Sequence, residues 1–196
     1  MQIAAAQQEM SAAHVRGAPG VLVSGLVWLI AAWLWQRHGV VNGFYGLFVG
    51  GIAIFPVSVL LSRVLFRAPR ASKGNPLERL AIESTVVLLA GTLLAWRLLG
   101  VAPELAFPAM AVTIGARYFL FRTLYGNPIY WVLGGTLVTV GGLVALERIT
   151  LPVNLALIIG AIEICAAVAI LLLGRWVGAG KAGRLVEPST QAGSGQ

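Results

Sequence analysis

The sequence has 196 residues, of which 58% are hydrophobic and only 11% are charged, and its formal net charge is +7. A soluble domain usually carries about 25% charged residues, and a chain of this length could not bury so much apolar surface in its own core. The composition therefore excludes an ordinary soluble domain. It predicts a membrane protein whose cations meet anionic lipid headgroups, and no nucleic-acid partner.

Residues 1–19 are polar and mixed, and they are predicted to form a cytoplasmic N-terminal segment. This segment is either a short amphipathic helix on the membrane surface or a disordered tail. The apolar run that follows ends in Trp33-Leu34-Trp35-Gln36-Arg37 and has no cleavage site of small residues. It is therefore interpreted as an uncleaved first span and not as a signal peptide.

A helix needs about 20 mostly apolar residues to cross the hydrocarbon core of a membrane. Six stretches approach this length, at residues 20–37, 42–66, 80–100, 104–122, 128–147 and 151–174. We therefore predict an all-α, polytopic bundle of six transmembrane helices within residues 20–176. The remainder, residues 177–196, is rich in small residues and is predicted to be a disordered cytoplasmic tail.

The cations predict the orientation of the chain. If the N-terminus lies in the cytoplasm, ten Lys and Arg residues fall in cytoplasmic segments and three fall in the outer joins. Such an excess follows the positive-inside rule. An even number of spans then places the C-terminus in the cytoplasm as well.

An internal repeat runs through the middle of the chain. Phe55-Pro56 and Gly74-Asn75-Pro76 return 52 residues later as Phe107-Pro108 and Gly126-Asn127-Pro128. The pattern is typical of helical hairpins related by an axis along the membrane normal, so three repeated hairpins are predicted. Pro56 lies well inside its span and is expected to kink it.

The two Asn-Pro pairs have two interpretations. Asn75 and Asn127 can cap the helices that follow them, and the adjacent prolines fit the first helical turn. Alternatively, the two amides line a cytoplasmic vestibule. Glycines at helical spacing, namely Gly46-x-x-x-Gly50 and the pairs Gly134-Gly135 and Gly141-Gly142, predict close helix packing.

Three ionisable residues fall at membrane depth, where a charge is costly and usually faces the bundle interior. Glu163 lies at the middle of the sixth span, Arg117 near the middle of the fourth, and Glu83 one turn inside the third. Their heights predict a Glu–Arg network that also reaches Arg122. The network either fixes helix register or forms a proton- or ion-responsive site or an anchor for a charged substrate.

The segment from Arg117 to Tyr125 has a second interpretation. Arg117, Phe121 and Tyr125 share one helical stripe, and Tyr118 and Arg122 share the adjacent one. These side chains could bind an anion or a lipid headgroup near the inner leaflet. Snorkelling towards the interface explains Arg122 and Tyr125 equally well, but it does not explain the deeper Arg117.

The sequence contains no motif that predicts a catalytic residue, a cofactor or a metal. Cys165 is the single cysteine, and His14 and His38 lie far apart and outside the spans. Catalysis is disfavoured. The leading hypothesis is a transporter or channel for a small solute or ion. The alternatives are a non-transporting scaffold, sensor or accessory subunit and, third, a lipid-binding or lipid-modifying protein. The sequence also leaves open whether the protein forms a homo-oligomer.

Three stretches carry a resemblance to a family. They are Arg16-Gly17-Ala18-Pro19-Gly20-Val21-Leu22-Val23-Ser24-Gly25-Leu26-Val27-Trp28, Gly74-Asn75-Pro76-Leu77 and Ile114-Gly115-Ala116-Arg117-Tyr118-Phe119-Leu120-Phe121-Arg122-Thr123-Leu124-Tyr125-Gly126-Asn127-Pro128. Together they resemble an uncharacterised family of small bacterial multi-spanning membrane proteins, a domain of unknown function. The resemblance implies a bacterial inner (cytoplasmic) membrane and no particular activity.

Overall fold

The computed structural model describes residues 3–72 and 74–184, with side chains up to residue 174, and this part of the chain forms seven α-helices and no strand. A left-handed turn, Val15–Gly17, precedes the second α-helix, and a one-turn 3-10 helix, Pro103–Leu105, precedes the fifth. The predicted all-α bundle is confirmed. The helices are α1 (Ile3–Ala13), α2 (Ala18–His38), α3 (Val40–Val64), α4 (Leu77–Leu99), α5 (Ala106–Tyr125), α6 (Ile129–Ala145) and α7 (Leu155–Arg184).

Five of these helices, α2, α3, α4, α5 and α7, are long and apolar enough to cross a membrane, so the chain is a multi-pass membrane protein. The prediction of six spans is not exact. The 17-residue α6 is apolar but only about 25 Å long. It ends early because Glu147 adopts a left-handed φ of +53°, which lets the N–H of Arg148 donate to the carbonyl of Leu143.

The far end of α7 also differs from the prediction. The helix continues to Arg184, eight residues beyond the predicted end of the membrane domain at residue 176. The first part of the predicted disordered tail is therefore helical. Residues 185–196 of that tail lie outside the described residues.

Two helices form the centre of the bundle. α2 packs against α3 and α7, whereas α5 packs against α4 and α6. The first two predicted hairpins, α2–α3 and α4–α5, are therefore tight pairs. The third is not, because α6 docks on α5 and α7 docks on α2, and these two helices contact each other little.

Pairs of glycines bring the helix backbones together at the two central crossings. A Cβ added to Gly115 of α5 would stand 2.8 Å from the carbonyl oxygen of Gly134 in α6. A Cβ on Gly25 of α2 would stand 3.0 Å from the carbonyl oxygen of Gly160 in α7. Only glycine permits so close an approach. Gly135, by contrast, faces open space, so one glycine of that predicted pair makes the contact.

The starts of α2, α4 and α6 and the ends of α3 and α5 meet at one end of the bundle, here called the basic end. Among the described side chains, its Arg cations are Arg16, Arg63, Arg67, Arg70, Arg79 and Arg122. α1 lies across this end and buries Ala6 and Met10 against Leu77 and Leu124. The N-terminal segment is thus a packed helix and not a disordered tail.

The two predicted Asn caps are formed. The Asn75 side-chain oxygen accepts from the N–H of Leu77 at 3.0 Å, and that of Asn127 accepts from the N–H of Ile129 at 3.1 Å. Asn75 also clamps α1, because its amide donates to the carbonyl of Ala6 and to the Glu9 carboxylate. α3, in turn, continues through Pro56 to Val64.

Candidate functional site: a cleft between α3 and α4

A cavity of about 560 Å³ lies between α3 and α4 and is called the cleft below. These helices form its walls, α2 and α5 form its floor, and α1 lies at its basic end. The walls are not packed against each other along their length. The lips of the cleft are lipid-facing apolar side chains, each more than 60% exposed, on α3 and α4: Ile52, Phe55, Ile82 and Leu89. The cleft therefore opens sideways, towards the lipid.

Most of the cleft lining is apolar, but a set of polar groups lies among it. The arrangement is typical of sites for small molecules, in which a few polar groups orient a ligand that is held mainly by apolar contact. The polar or ionisable side chains are His14, Ser24, Ser58, Ser62, Ser84, Thr85, Thr92, Arg117, Tyr118 and Tyr125.

Arg117 is the cation at the middle of the cleft. Its guanidinium makes two long hydrogen bonds of 3.4 Å, to the hydroxyls of Ser84 and Thr85 on α4. Its carbon lies 5.0 Å from the centre of the Phe121 ring, within the range of a cation–π contact. A guanidinium has several more N–H donors than these contacts use. It can therefore still receive an anion.

Trp28 adds a second donor to the floor of the cleft. Its side chain is fully buried and lines the cavity, yet its indole N–H has no acceptor among the described residues. A buried polar group without a partner is costly and requires an explanation. A ligand or water that supplies an acceptor would provide one.

Glu163 lies behind the floor of the cleft and not in it. Its side chain is 0% exposed, between α2 and α5. The Tyr118 hydroxyl donates to its Oε1 atom at 2.7 Å, whereas Oε2 has no partner in the described part of the chain. The Ser24 hydroxyl lies beside both groups. Since Tyr118 and Ser24 also line the cleft, these two hydroxyls separate the carboxyl from it.

The predicted Glu–Arg network is wrong for this geometry. Arg117 and Glu163 lie at similar depth, but Arg117 points to α4, whereas Glu163 meets Tyr118. Glu83 is not brought into the group, because it lies on the exposed face of α4. These charges are separated because their side chains point in different directions around their helices. The depth of a residue in the membrane does not predict that direction.

The predicted stripe on α5 is formed. Arg117, Phe121 and Tyr125 line the cleft in order, and the Tyr125 ring packs edge-on against Phe121 at 5.6 Å. Tyr118 lines it too, whereas Arg122 is partly exposed and lies outside it. Asn75 and Asn127 do not line this cleft, and their observed contacts include the caps of α4 and α6.

A second cavity of about 700 Å³ lies at the basic end, between α1, the end of α3 and α7. Arg16 and Arg67 line it together with Gln7 and Gln8. Both arginines adopt left-handed backbone conformations, with φ of +57° and +49°. Such strained positions are often found at functional sites. Arg16 and Arg67 give this cavity two positively charged side chains.

Two titratable groups outside the spans have shifted pKa values. Burial lowers the pKa of His14, and the positive charge of Arg63 lowers it further. Hydrogen bonds from Ser72 lower the pKa of the half-buried Glu9, and the amide of Asn75 contributes in the same direction. Over the described residues, no group of three or more His, Cys, Asp or Glu side chains could hold a metal.

Several residues of the cleft escaped the sequence analysis. Ser84 and Thr85 directly follow Glu83, and their hydroxyls, not its carboxylate, contact Arg117. Ser24 and Trp28 lie in an apolar run where nothing in the sequence marks which side faces a cavity. The Ser and Thr residues on α3 and α4, which form both walls of the cleft, are the sequence feature that could have indicated it.

These features define a polytopic α-helical membrane protein whose bundle holds a laterally open cleft with one cation in it. The chain belongs to a family of unknown function, DUF7010, whose match extends over residues 3–173. The resemblance to an uncharacterised family is thereby confirmed. The match runs from α1 into α7 and includes the whole cleft and Glu163. No curated protein and no solved structure matches the chain.

Proposed function

We propose that the protein is a carrier for small organic anions with an apolar tail, which enter the cleft sideways from the lipid. The observation that carries this proposal is the combination of apolar cleft walls with the Arg117 guanidinium, whose described contacts are hydroxyls and an aromatic ring but no carboxylate. An unneutralised cation at membrane depth is costly. An anionic ligand would supply the missing charge.

The cleft offers each part of such a ligand a matching surface. The head would lie between Arg117 and the hydroxyls of Ser84 and Thr85, and the tail would lie along the apolar faces of α3 and α4. A volume of about 560 Å³ falls within the range of pockets that hold drug-sized molecules. The site favours a carboxylate, sulfonate or phosphate head, because a guanidinium binds these groups with charge-assisted hydrogen bonds.

We further propose that the basic end faces the cytoplasm of a bacterial cell and that the protein lies in the inner membrane. The excess of cations at that end supports this orientation through the positive-inside rule. The cavity that holds Arg16 and Arg67 supports anionic lipid headgroups as partners there.

Binding of a defined probe tests the site. A dansyl-labelled medium-chain carboxylate is titrated against protein in nanodiscs, and its fluorescence reports binding. Arg117→Gln is expected to weaken binding about tenfold or more, because a charge-assisted hydrogen bond is lost. The matched control is Arg122→Gln on the same helix, which removes a cation outside the cleft and should leave the affinity unchanged. Equal losses in both variants, or equal binding of the neutral amide analogue, would contradict the proposal.

A flux measurement distinguishes a carrier from a lipid-binding protein and from a scaffold, sensor or accessory subunit. Proteoliposomes loaded with the probe should lose it faster with the wild-type protein than with Arg117→Gln. Binding without flux, together with an anionic lipid that co-purifies with the wild type but not with Arg117→Gln, would favour a lipid-binding protein. If Arg117→Gln changes only stability, the scaffold, sensor or accessory-subunit hypothesis gains. A dimer cross-linked through α3 and α4 would mean that a second copy covers the cleft.

A further inference from the structure

Glu163 is a buried acid that the anion site does not use. It lies in the first third of α7, 0% exposed, almost one turn beyond the Gly160 crossing with α2. Its Oε1 atom accepts from Tyr118, and its Oε2 atom has no partner among the described side chains. A register-fixing ion pair would have satisfied both oxygens with a cation, and this arrangement does not.

No described cation faces the carboxyl from the elements that pack around it. α2 presents Ser24, α5 presents Tyr118, and α6 presents Tyr130, whose ring lies 5.9 Å from that of Tyr118. Arg117 is directed towards α4, and Arg16 lies against Gly174, about 16 Å further along α7. In so apolar a position an unpaired carboxylate is far more costly than the neutral acid.

The carboxyl is nevertheless connected to the cleft. Ser24 and Tyr118 line the cleft and also lie beside Glu163. A hydroxyl can accept one hydrogen bond while it donates another. A proton leaving the Glu163 carboxyl can therefore pass to the Tyr118 hydroxyl, 2.7 Å from Oε1, which releases its own proton to water in the cleft. The carboxylate keeps the electron pair of the broken O–H bond, and the reverse transfer restores the acid.

We propose that Glu163 is a proton-binding site coupled to the cleft, so that the protein binds its anion and a proton together. This inference rests on the proposed function. The anion would lie at Arg117, next in sequence to the tyrosine that contacts Glu163, and a carboxylate at Glu163 would repel it. Protonation should thus strengthen anion binding, and anion binding must strengthen protonation to the same degree.

The proton itself is tested first, without any ligand. Infrared spectra of the purified protein near neutral pH should contain the carbonyl stretch of a protonated carboxylic acid in an apolar site. Glu163→Gln should remove this band. Glu83→Gln, which changes an exposed carboxyl, should retain it. If the band is missing in the wild type, or survives in Glu163→Gln, then Glu163 is not the proton site and the inference is overturned, whatever the cleft binds.

Coupling is tested with a dansyl-labelled alkyl sulfonate, whose charge does not change with pH. His14 also lines the cleft and gains charge on acidification, so all measurements use the His14→Gln background. In that background the affinity should fall about tenfold as the pH is raised until Glu163 loses its proton. The additional Glu163→Gln change, which keeps the side chain neutral, should hold the affinity at its acidic value throughout.

The outcomes distinguish the two proposals. If the infrared band is present but neither the sulfonate nor the carboxylate binds, the anion site is wrong and the proton is not coupled to it. If the probes bind with an affinity that depends on Arg117 but not on pH, the anion site stands and the coupling is refuted. If Glu163→Gln elutes as a folded protein but no longer binds, Glu163 acts through structure, which also refutes the coupling.

Discussion

α5 takes part in both the α5–α6 crossing and the floor of the α3–α4 cleft, and these two regions are packed in opposite ways. At the crossing, Gly115 and Gly134 bring two backbones into contact. In the cleft, Gly51 has no neighbour near enough to touch an added Cβ, and the two walls stay apart. Glycine thus has two uses in this bundle. Whether a glycine permits close helix packing depends on what it faces in the bundle and not on its place in a sequence motif.

The largest expected effect is at the crossing. Gly115→Ala should lower the free energy of unfolding by about 3 kcal/mol, because its new methyl group meets a backbone carbonyl that cannot move aside. Unfolding by sodium dodecyl sulfate, followed by circular dichroism, measures the change. Gly135→Ala, on the open face of α6, is the matched control and should be neutral or slightly stabilising. Similar losses in both variants would remove the distinction between packed and open glycines.

The clamp on α1 should give the next largest effect. Asn75→Ala loses a helix cap and the bonds to Ala6 and Glu9, so we expect a loss of about 2 kcal/mol. Asn127→Ala loses only a cap and should cost about 1 kcal/mol. The thermal unfolding of the two variants in detergent provides the comparison. Equal costs would mean that the clamp contributes nothing to holding α1 over the basic end of the cleft.

The pH dependence of stability should report on His14 at the basic end of the cleft. Its pKa is lower in the folded protein than in the unfolded chain, so only the unfolded chain takes up a proton when the pH first falls below about 6.5. The His14 contribution to stability should therefore be complete above that pH and decrease on acidification, by less than about 1 kcal/mol because the imidazole is partly solvated.

Melting temperatures measured from pH 8 down to about pH 5 test this prediction, since the range brackets the ordinary pKa of His, and all variants carry Glu163→Gln so that the buried acid cannot titrate in the same range. His14→Gln should flatten the profile there. Glu9→Gln should not, because the pKa of Glu9 is held below that of an ordinary carboxyl and it titrates under more acidic conditions. A stability that rises on acidification would show that the imidazole gains a proton on folding.

The smallest effect is expected in the cleft wall. Gly51→Ala should raise stability by up to about 1 kcal/mol, because alanine is the better helix former and its methyl group meets nothing. The same sodium dodecyl sulfate titration measures it. A loss comparable to that of Gly115→Ala would mean that the cleft is closed by a neighbour, such as a second copy of the chain.

The sequence predicted the elements of the fold better than their directions. Runs of about 20 apolar residues located the helices, because length and hydropathy alone decide whether a segment can span lipid. The depth of Glu163 and Arg117 also followed from the rise per residue. The hydrogen-bond partners of these two side chains could not be predicted in this way. Arg117 and Tyr118 are adjacent, but a step of about 100° around the helix sends one towards α4 and the other towards α7.

Local chemistry explains the other differences. The end of α6 depends on a left-handed residue, Glu147, which no periodicity marks. The third predicted hairpin is not a tight pair because each of its helices packs on a central helix instead. α6 packs on α5 at Gly115, and α7 packs on α2 at Gly25. The caps at Asn75 and Asn127 were predicted correctly, since an Asn-Pro start is a local signal that needs no knowledge of neighbours.

The two glycine crossings also limit how the molecule can change shape. Where backbones touch, as at Gly25 with Gly160 and at Gly115 with Gly134, helices can neither slide nor rotate without collision. α2 with α7 and α5 with α6 therefore behave as two stiff frames. Each outer wall is attached to one frame, α3 to α2 and α4 to α5. A ligand larger than the cleft would therefore require α3 and α4 to move apart, each relative to the central helix on which it packs.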